Sequence, residues 1–277
     1  MSYQNSNVGI IFPLYVYPTP EAVAGVWSPV AQASHTVPVI AIVNPNSGPG
    51  DSQLPDASYQ AAIKAMRSQG NGEKLLLLGY VALTYGKRPF EEVVGDIRKY
   101  GGWNELSGGA LALDGIFFDE MPSASDAEQP YPHSGDFGGR PHVLSTFTQS
   151  MAAFTRSLRW RNGRGAVVVT NPGVLDVTAS DFAGTFGGDV TMAFETTAAE
   201  WKQKNGSEVA RLLAGRQGSN HPAAVAIHSI DQKSVAKTAR QLRSLAGVRY
   251  VFVSDRVMPN PYDALPSGWN EIIQALA

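Results

Sequence analysis

Several carboxylates stand where a run of apolar residues stops. Gly115-Ile116-Phe117-Phe118 leads straight into Asp119-Glu120, Met192-Ala193-Phe194 ends in Glu195, and Phe252-Val253-Ser254 leads to Asp255. A buried strand is a rigid mount, and paired carboxyl groups carry a definite chemistry. One protonates a leaving oxygen while a second acts as nucleophile or water-activating base. The two need different environments, so that one keeps its proton near neutral pH and the other stays ionised. Other apolar runs end in residues that bind rather than react: Tyr15 and Tyr17, Asn44 and Asn46, Tyr80 and Tyr85, Asn171, and His228. No Lys or Arg stands among these positions. Aromatic faces with amides and acids are the lining of a cleft for a neutral or cationic polar ligand, such as a sugar chain.

Each of these residues also has a plainer role open to it. A lone acid at a strand end serves as a helix cap or salt-bridge partner. His228 suits a hydrogen-bonded structural histidine, the tyrosines suit rim packing, and 44–50 suits a stiff turn. Two adjacent acids closing a buried strand are harder to read that way. Glu195, His228, Asp255 and Asp119 also offer the oxygen and nitrogen ligands of a Mg, Mn or Zn site. The sequence has no His-x-His or His-Glu-x-x-His spacing to support one, and neither metal nor cofactor is expected.

Positioning these residues takes eight strands. Apolar runs at 8–17, 37–43, 75–81, 115–118, 166–170, 189–194, 223–227 and 248–253 alternate with helical spacing. Pro20-Glu21 suits a helix start, with Val23, Val26, Trp27 and Val30 following. Asp56 caps the next helix and Pro89 opens another. A long helix spans 143–160, and a short helical piece falls near 179–182. Ser207 caps a helix, Ser234 leads one, and the last holds Trp269, Ile272, Ile273 and Leu276. Residues 121–141 form a long polar loop. Continuous apolar strands alternating with amphipathic helices imply a parallel sheet covered by helices. Eight such units in 277 residues match an α/β protein of (β/α)8 TIM-barrel type, one domain over 1–277. A doubly wound open sheet is the alternative, but no Gly-x-Gly-x-x-Gly or P-loop appears. In a barrel the active site lies at the carboxyl ends of the strands, where all these residues fall. Strands four and six are two apart, so Asp119 or Glu120 is expected to stand opposite Glu195. Successive strand residues point to opposite sides, so one of the pair faces Glu195 and the other supports it.

Bulk composition narrows the rest. A hydrophobic content of 43% suffices for a large core, and a net charge of −2 without a basic run argues against nucleic acid or an acidic membrane as partner. The absence of cysteine excludes disulfides and thiolate chemistry. The apolar run after Met1–Asn7 is broken by Pro13, Pro18 and Pro20, unlike a secretory signal, and no stretch is long enough to span a bilayer.

The segments Leu14-Tyr15-Val16-Tyr17-Pro18, Val43-Asn44-Pro45-Asn46-Ser47-Gly48-Pro49-Gly50, Gly79-Tyr80-Val81 with Thr84-Tyr85-Gly86, and Gly115-Ile116-Phe117-Phe118-Asp119-Glu120 resemble the spherulin 4-like family. The resemblance runs over nearly the whole chain. It implies a (β/α)8 glycoside hydrolase resembling endo-α-1,4-N-acetylgalactosaminidases, which act on galactosaminogalactan, a cationic polysaccharide of biofilms and cell walls. It also implies Asp119, Glu120 and Glu195 as essential acids, with Asp119 as nucleophile or stabilising carboxylate, Glu195 as acid/base and Glu120 in support. Hydrolytic members of the family are secreted or held at the cell surface. The expected partner is an amino-sugar polysaccharide, and the chain is expected to be a monomer. A non-catalytic carbohydrate-binding or structural barrel and a metal-dependent lyase or isomerase are the alternatives.

Overall fold

The backbone pairs as the apolar runs require. The computed structural model describes residues 8–134, 142–173, 187–203 and 222–277. Within them β1 (Gly9–Leu14), β2 (Val39–Val43), β3 (Leu75–Ala82), β4 (Gly115–Asp119), β5 (Val167–Thr170), β6 (Val190–Thr197), β7 (Ala223–His228) and β8 (Val248–Val253) close a parallel barrel in chain order. The expected (β/α)8 barrel is therefore the fold. Every residue of β1, β2 and β7 is buried, because one strand face fills the barrel and the other lies under helices.

Backbone contacts group the chain into two compact units, one of residues 1–41, 61–76 and 194–277, the other of 42–60 and 77–193. In the first, β1 pairs with β8 at Gly9↔Tyr250 and β8 with β7. Phe12 of β1 meets Phe252 and Trp269 edge-on at 5.4 and 5.7 Å. After β1 the chain enters α1 (Pro20–Ala22), a π-helical turn (Val23–Trp27) and α2 (Ser28–Ala33). The sequence suggests one continuous helix here, but the wide turn interrupts it. Buried Trp27 donates its indole N–H to the Val16 carbonyl at 3.2 Å, tying down the segment that carries Tyr15 and Tyr17. Helices α6 (Ala198–Gln203), α7 (Val235–Arg243) and α8 (Trp269–Leu276) also belong to this unit.

In the second unit β3, β4, β5 and β6 pair in turn. Helix α3 (Ala57–Gln69), whose first residues 57–60 belong to this unit, opens with the Tyr59 amide donating to Asp56 Oδ1 at 3.0 Å, the expected cap. Two glycines set the close packing. A side chain at Gly79 would strike the Tyr100 ring at 2.6 Å. One at Gly115, which also has φ +152°, would strike the Val167 carbonyl at 1.9 Å. Tyr100 belongs to α4 (Phe90–Leu106), and its burial raises its phenol well above the usual range. Just before β4, Asp114 accepts from the Leu77 amide at 2.8 Å and pairs with Arg161 at 2.6 Å.

Part of the expected loop at 121–141 is built rather than open. Tyr131 stacks on Phe147 of α5 (Leu144–Ser157) at 4.3 Å and 10°, and its hydroxyl donates to the Arg88 carbonyl at 2.9 Å. Residues 1–7 and 135–141, the helical piece expected near 179–182 and the helix expected after Ser207 lie outside the described residues.

Candidate active site at the strand ends

The register of β4 and β5 decides what Asp119 meets. Phe118 pairs with Thr170, so the next residues of the two strands, Asp119 and Asn171, lie side by side. The buried Asn171 amide donates to Asp119 Oδ1 at 2.8 Å. Its own carbonyl oxygen accepts from the Gly173 N–H at 2.9 Å. The amide is thereby locked with its N–H toward the carboxylate. Asn171, expected at a strand end as a ligand-binding residue, is thus bonded directly to the leading acid.

Glu120 differs from expectation. β4 stops at Asp119, and Glu120 has φ +50°, in the left-handed region that non-glycine residues rarely occupy. Strand alternation therefore does not set the direction of its side chain. Its carbonyl accepts from the Tyr85 N–H at 2.6 Å, the Asp119 carbonyl accepts from Leu83 at 2.9 Å, and the Met121 N–H donates to the Asn171 carbonyl at 3.0 Å. Thr84 and Tyr85 are left-handed as well, at φ +47° and +56°, and so are Ser47 after β2 and Ser229 after β7. Five of the six non-glycine residues with positive φ among the described residues thus follow a strand end. Backbone held this way costs about 1–3 kcal/mol per residue and gathers at functional sites.

The remaining residues divide by what holds them. Tyr85 is 56% and Tyr17 51% exposed. Tyr80 lies within β3 rather than at its end, almost fully buried, 6.3 Å from the Phe117 ring. Asn44 turns its side chain inward to accept from the Gly48 N–H at 3.0 Å, while its carbonyl accepts from the Tyr59 hydroxyl at 3.1 Å. The Asn46 N–H closes the same turn on the Gly48 carbonyl at 3.0 Å, and the residue is exposed.

Glu195 also departs from expectation, because β6 continues past it to Thr197. Its Oε1 accepts a hydrogen bond from the Tyr262 hydroxyl. Tyr262 packs between Tyr15 at 5.4 Å and Phe252 at 5.2 Å. The sequence signal for it is faint: one aromatic in the Pro259-Asn260-Pro261-Tyr262 loop after β8. His228, the last residue of β7, shares a hydrogen bond with Ser229 Oγ at 2.9 Å. Burial lowers its basicity, with Glu195 and Glu200 pulling the other way. Asp255 Oδ1 accepts from the Ser267 N–H at 2.9 Å. Burial raises its carboxyl, but the Ser267 hydrogen bonds and Arg256 outweigh it, and it lies below the usual range. Among the described residues no group of three or more His, Asp or Glu stands close enough to hold a metal ion, and no helix is long and apolar enough to cross a membrane.

The model of the spherulation-specific family 4 matches residues 9–276. The chain belongs to this family. Spherulin-4 of Physarum polycephalum is 39% identical over 125 residues, covering 45% of this chain and 32% of that protein. The chain thus aligns with about a third of that relative's length. Among solved structures, Aspergillus clavatus Sph3 in complex with GalNAc is similar over 98% of this chain and 97% of that one, with a TM-score of 0.77 and 27% identity. A glycoside hydrolase family 5 enzyme of Prevotella bryantii matches 98% of this chain and 95% of its own with a TM-score of 0.55. The endo-beta-1,4-mannanase of Thermotoga petrophila matches 98% and 76% with a TM-score of 0.58. At 10% and 9% identity these two share the barrel alone. The chain thus has a glycosidase-like fold.

Proposed function

We propose that the protein is a carbohydrate-active enzyme, an endo-acting glycoside hydrolase that cleaves an amino-sugar polysaccharide of galactosaminogalactan type. The observation that carries the reading is the locked Asn171 amide on Asp119. A carboxylate held by a fixed donor is oriented for attack on, or stabilisation of, an oxocarbenium-like centre. Family membership and the likeness to Sph3, crystallised with GalNAc, support the choice of sugar.

In this reading Glu195 gives its proton to the glycosidic oxygen as the C–O bond breaks. Asp119 bonds to, or stabilises, the anomeric carbon. A water then completes hydrolysis and returns a proton to Glu195. Glu120, set at the same strained turn, orients Asp119 or holds a sugar hydroxyl. Tyr17 and Tyr85 offer apolar faces to a chain passing through. No cofactor enters the scheme, and the catalytic unit is a monomer spanning one domain.

The test is reducing-end release from galactosaminogalactan by the wild type and by Asp119→Asn and Glu195→Gln. Release by the wild type and a loss of at least about 1000-fold in both variants is expected for acid–base and covalent roles. Equal release by wild type and Asp119→Asn defeats the reading. Tight binding without turnover would instead mark a carbohydrate-binding barrel.

A further inference from the structure

Oε1 of Glu195 accepts a hydrogen bond from the Tyr262 hydroxyl. We propose that Tyr262 is a positioning residue for Glu195: its hydroxyl holds the carboxyl group in the orientation from which it delivers a proton. The functional part of this assignment rests on the hydrolase reading above. In the proton-transfer step the Glu195 carboxyl O–H bond breaks, a new O–H bond forms on the leaving oxygen, and the phenol is neither consumed nor charged.

The loop after β8 is built to present this hydroxyl. Three successive residues at its start grip its far limb. Ser254 Oγ donates to the Pro261 carbonyl at 3.5 Å, Asp255 accepts from the Ser267 N–H at 2.9 Å, and the Arg256 guanidinium donates to the Leu265 carbonyl at 3.3 Å. The near limb is tied to the turn after β7, where the Ser229 N–H donates to the Arg256 carbonyl at 2.8 Å and the Ile230 N–H to Ser254 at 3.0 Å. Between these anchors the Tyr262 ring is fixed against Tyr15 and Phe252. A phenol clamped on two sides holds its partner's rotamer far better than a free side chain, because little freedom remains to be lost on bonding. Within the same unit His228 on β7 feels the charges of Glu195 and of Glu200 on α6, and Tyr15 packs against the Tyr262 ring.

Tyr262→Phe removes the hydroxyl and keeps the ring, so it separates positioning from packing. The direct measurement is the 13C resonance of the Glu195 carboxyl, in protein labelled with 13C-carboxyl glutamate and assigned with Glu195→Gln, compared at one pH in the wild type and in Tyr262→Phe. A changed Glu195 resonance, with the other glutamate resonances in place, is expected for loss of a hydrogen bond to that carboxyl. An unchanged resonance overturns the proposal whether or not the protein hydrolyses anything. On galactosaminogalactan, Tyr262→Phe is expected to lose about tenfold to hundredfold in kcat, with KM within about twofold. Wild-type kcat in a folded Tyr262→Phe protein also overturns it. A changed resonance in a protein whose wild type releases no reducing ends would leave the positioning intact and count against the hydrolase reading alone.

Discussion

The side-chain amide of Asn171 donates to Oδ1 of Asp119 at 2.8 Å while the Gly173 N–H holds the amide's own oxygen at 2.9 Å. Both partners are set by one register, Phe118 against Thr170. The bond is therefore a consequence of barrel geometry rather than of a chance rotamer. We predict that Asn171→Ala lowers kcat by about tenfold to hundredfold, the range for loss of a hydrogen bond to a charged group. Asn171→Asp, which sets a second anion beside Asp119, is expected to lose more. Kinetics of reducing-end release with unfolding curves measure both, and unchanged kcat in a folded Asn171→Ala protein would falsify the role.

The acids at strand ends were legible because continuous apolar runs announce strands and the polar residue that stops each run is easy to find. Asp119 and His228 follow that logic, whereas Glu195 ends the apolar run two residues before β6 itself ends at Thr197. What each would touch was not legible, because contact depends on register between strands far apart in sequence. Asn171 is 52 residues from Asp119, and Tyr262 is 67 from Glu195 on an irregular loop. Glu120 shows the converse limit. Period-two alternation presumes extended backbone, and a left-handed residue ends the presumption.

His228 couples stability to pH. Burial lowers its basicity in the folded protein, with Glu195 and Glu200 offsetting part of the effect. The unfolded chain therefore binds the proton more readily. The penalty is absent above the ordinary histidine value of about 6.5 and grows as pH falls through it toward the lowered folded value. We predict that urea midpoints fall between about pH 7 and pH 5, and that His228→Asn flattens this slope. Parallel slopes for the two proteins would remove His228 from the account.

Asp255 acts in the opposite sense. Although burial raises its carboxyl, the Ser267 hydrogen bonds and Arg256 outweigh it, so its stabilising effect is present above the ordinary aspartate range of about 3.9 and is lost as pH falls through the lower folded value. Asp255→Ala is expected to cost about 1 kcal/mol at neutral pH. It should also lower kcat by loosening the loop that carries Tyr262. Unchanged stability together with a raised KM would instead make Asp255 a direct sugar contact.

At the amino end of β4 the prediction separates stability from activity. Asp114 is buried between the Leu77 amide and Arg161. Removing one partner leaves the other charge without its counterion, so Arg161→Ala is expected to destabilise by about 3 kcal/mol. Rates per folded molecule should stay within about twofold, because in a barrel the amino ends serve stability rather than chemistry. Urea unfolding with active-site titration measures both quantities, and a large kcat loss in fully folded protein counts against the division of labour.

Tyr85 tests whether strain and function coincide. Its backbone sits at φ 56°, ψ 35°, its N–H is held by the Glu120 carbonyl at 2.6 Å, and its ring is 56% exposed. An exposed aromatic forced into a conformation that suits glycine contributes little to folding, so its side chain needs another use. Glycine would relieve about 1 kcal/mol of backbone strain, partly cancelled by the greater freedom of the unfolded chain. We therefore predict that Tyr85→Gly leaves stability within about 1 kcal/mol of the wild type, while KM for the polysaccharide rises by about fivefold or more through loss of ring stacking on sugar. Tyr85→Phe, which keeps the ring, should retain the wild-type KM. A Tyr85→Gly protein with wild-type KM would show that the ring is not a sugar platform, and one strongly destabilised would show that the turn depends on packing by the ring rather than on its hydrogen bond to Glu120.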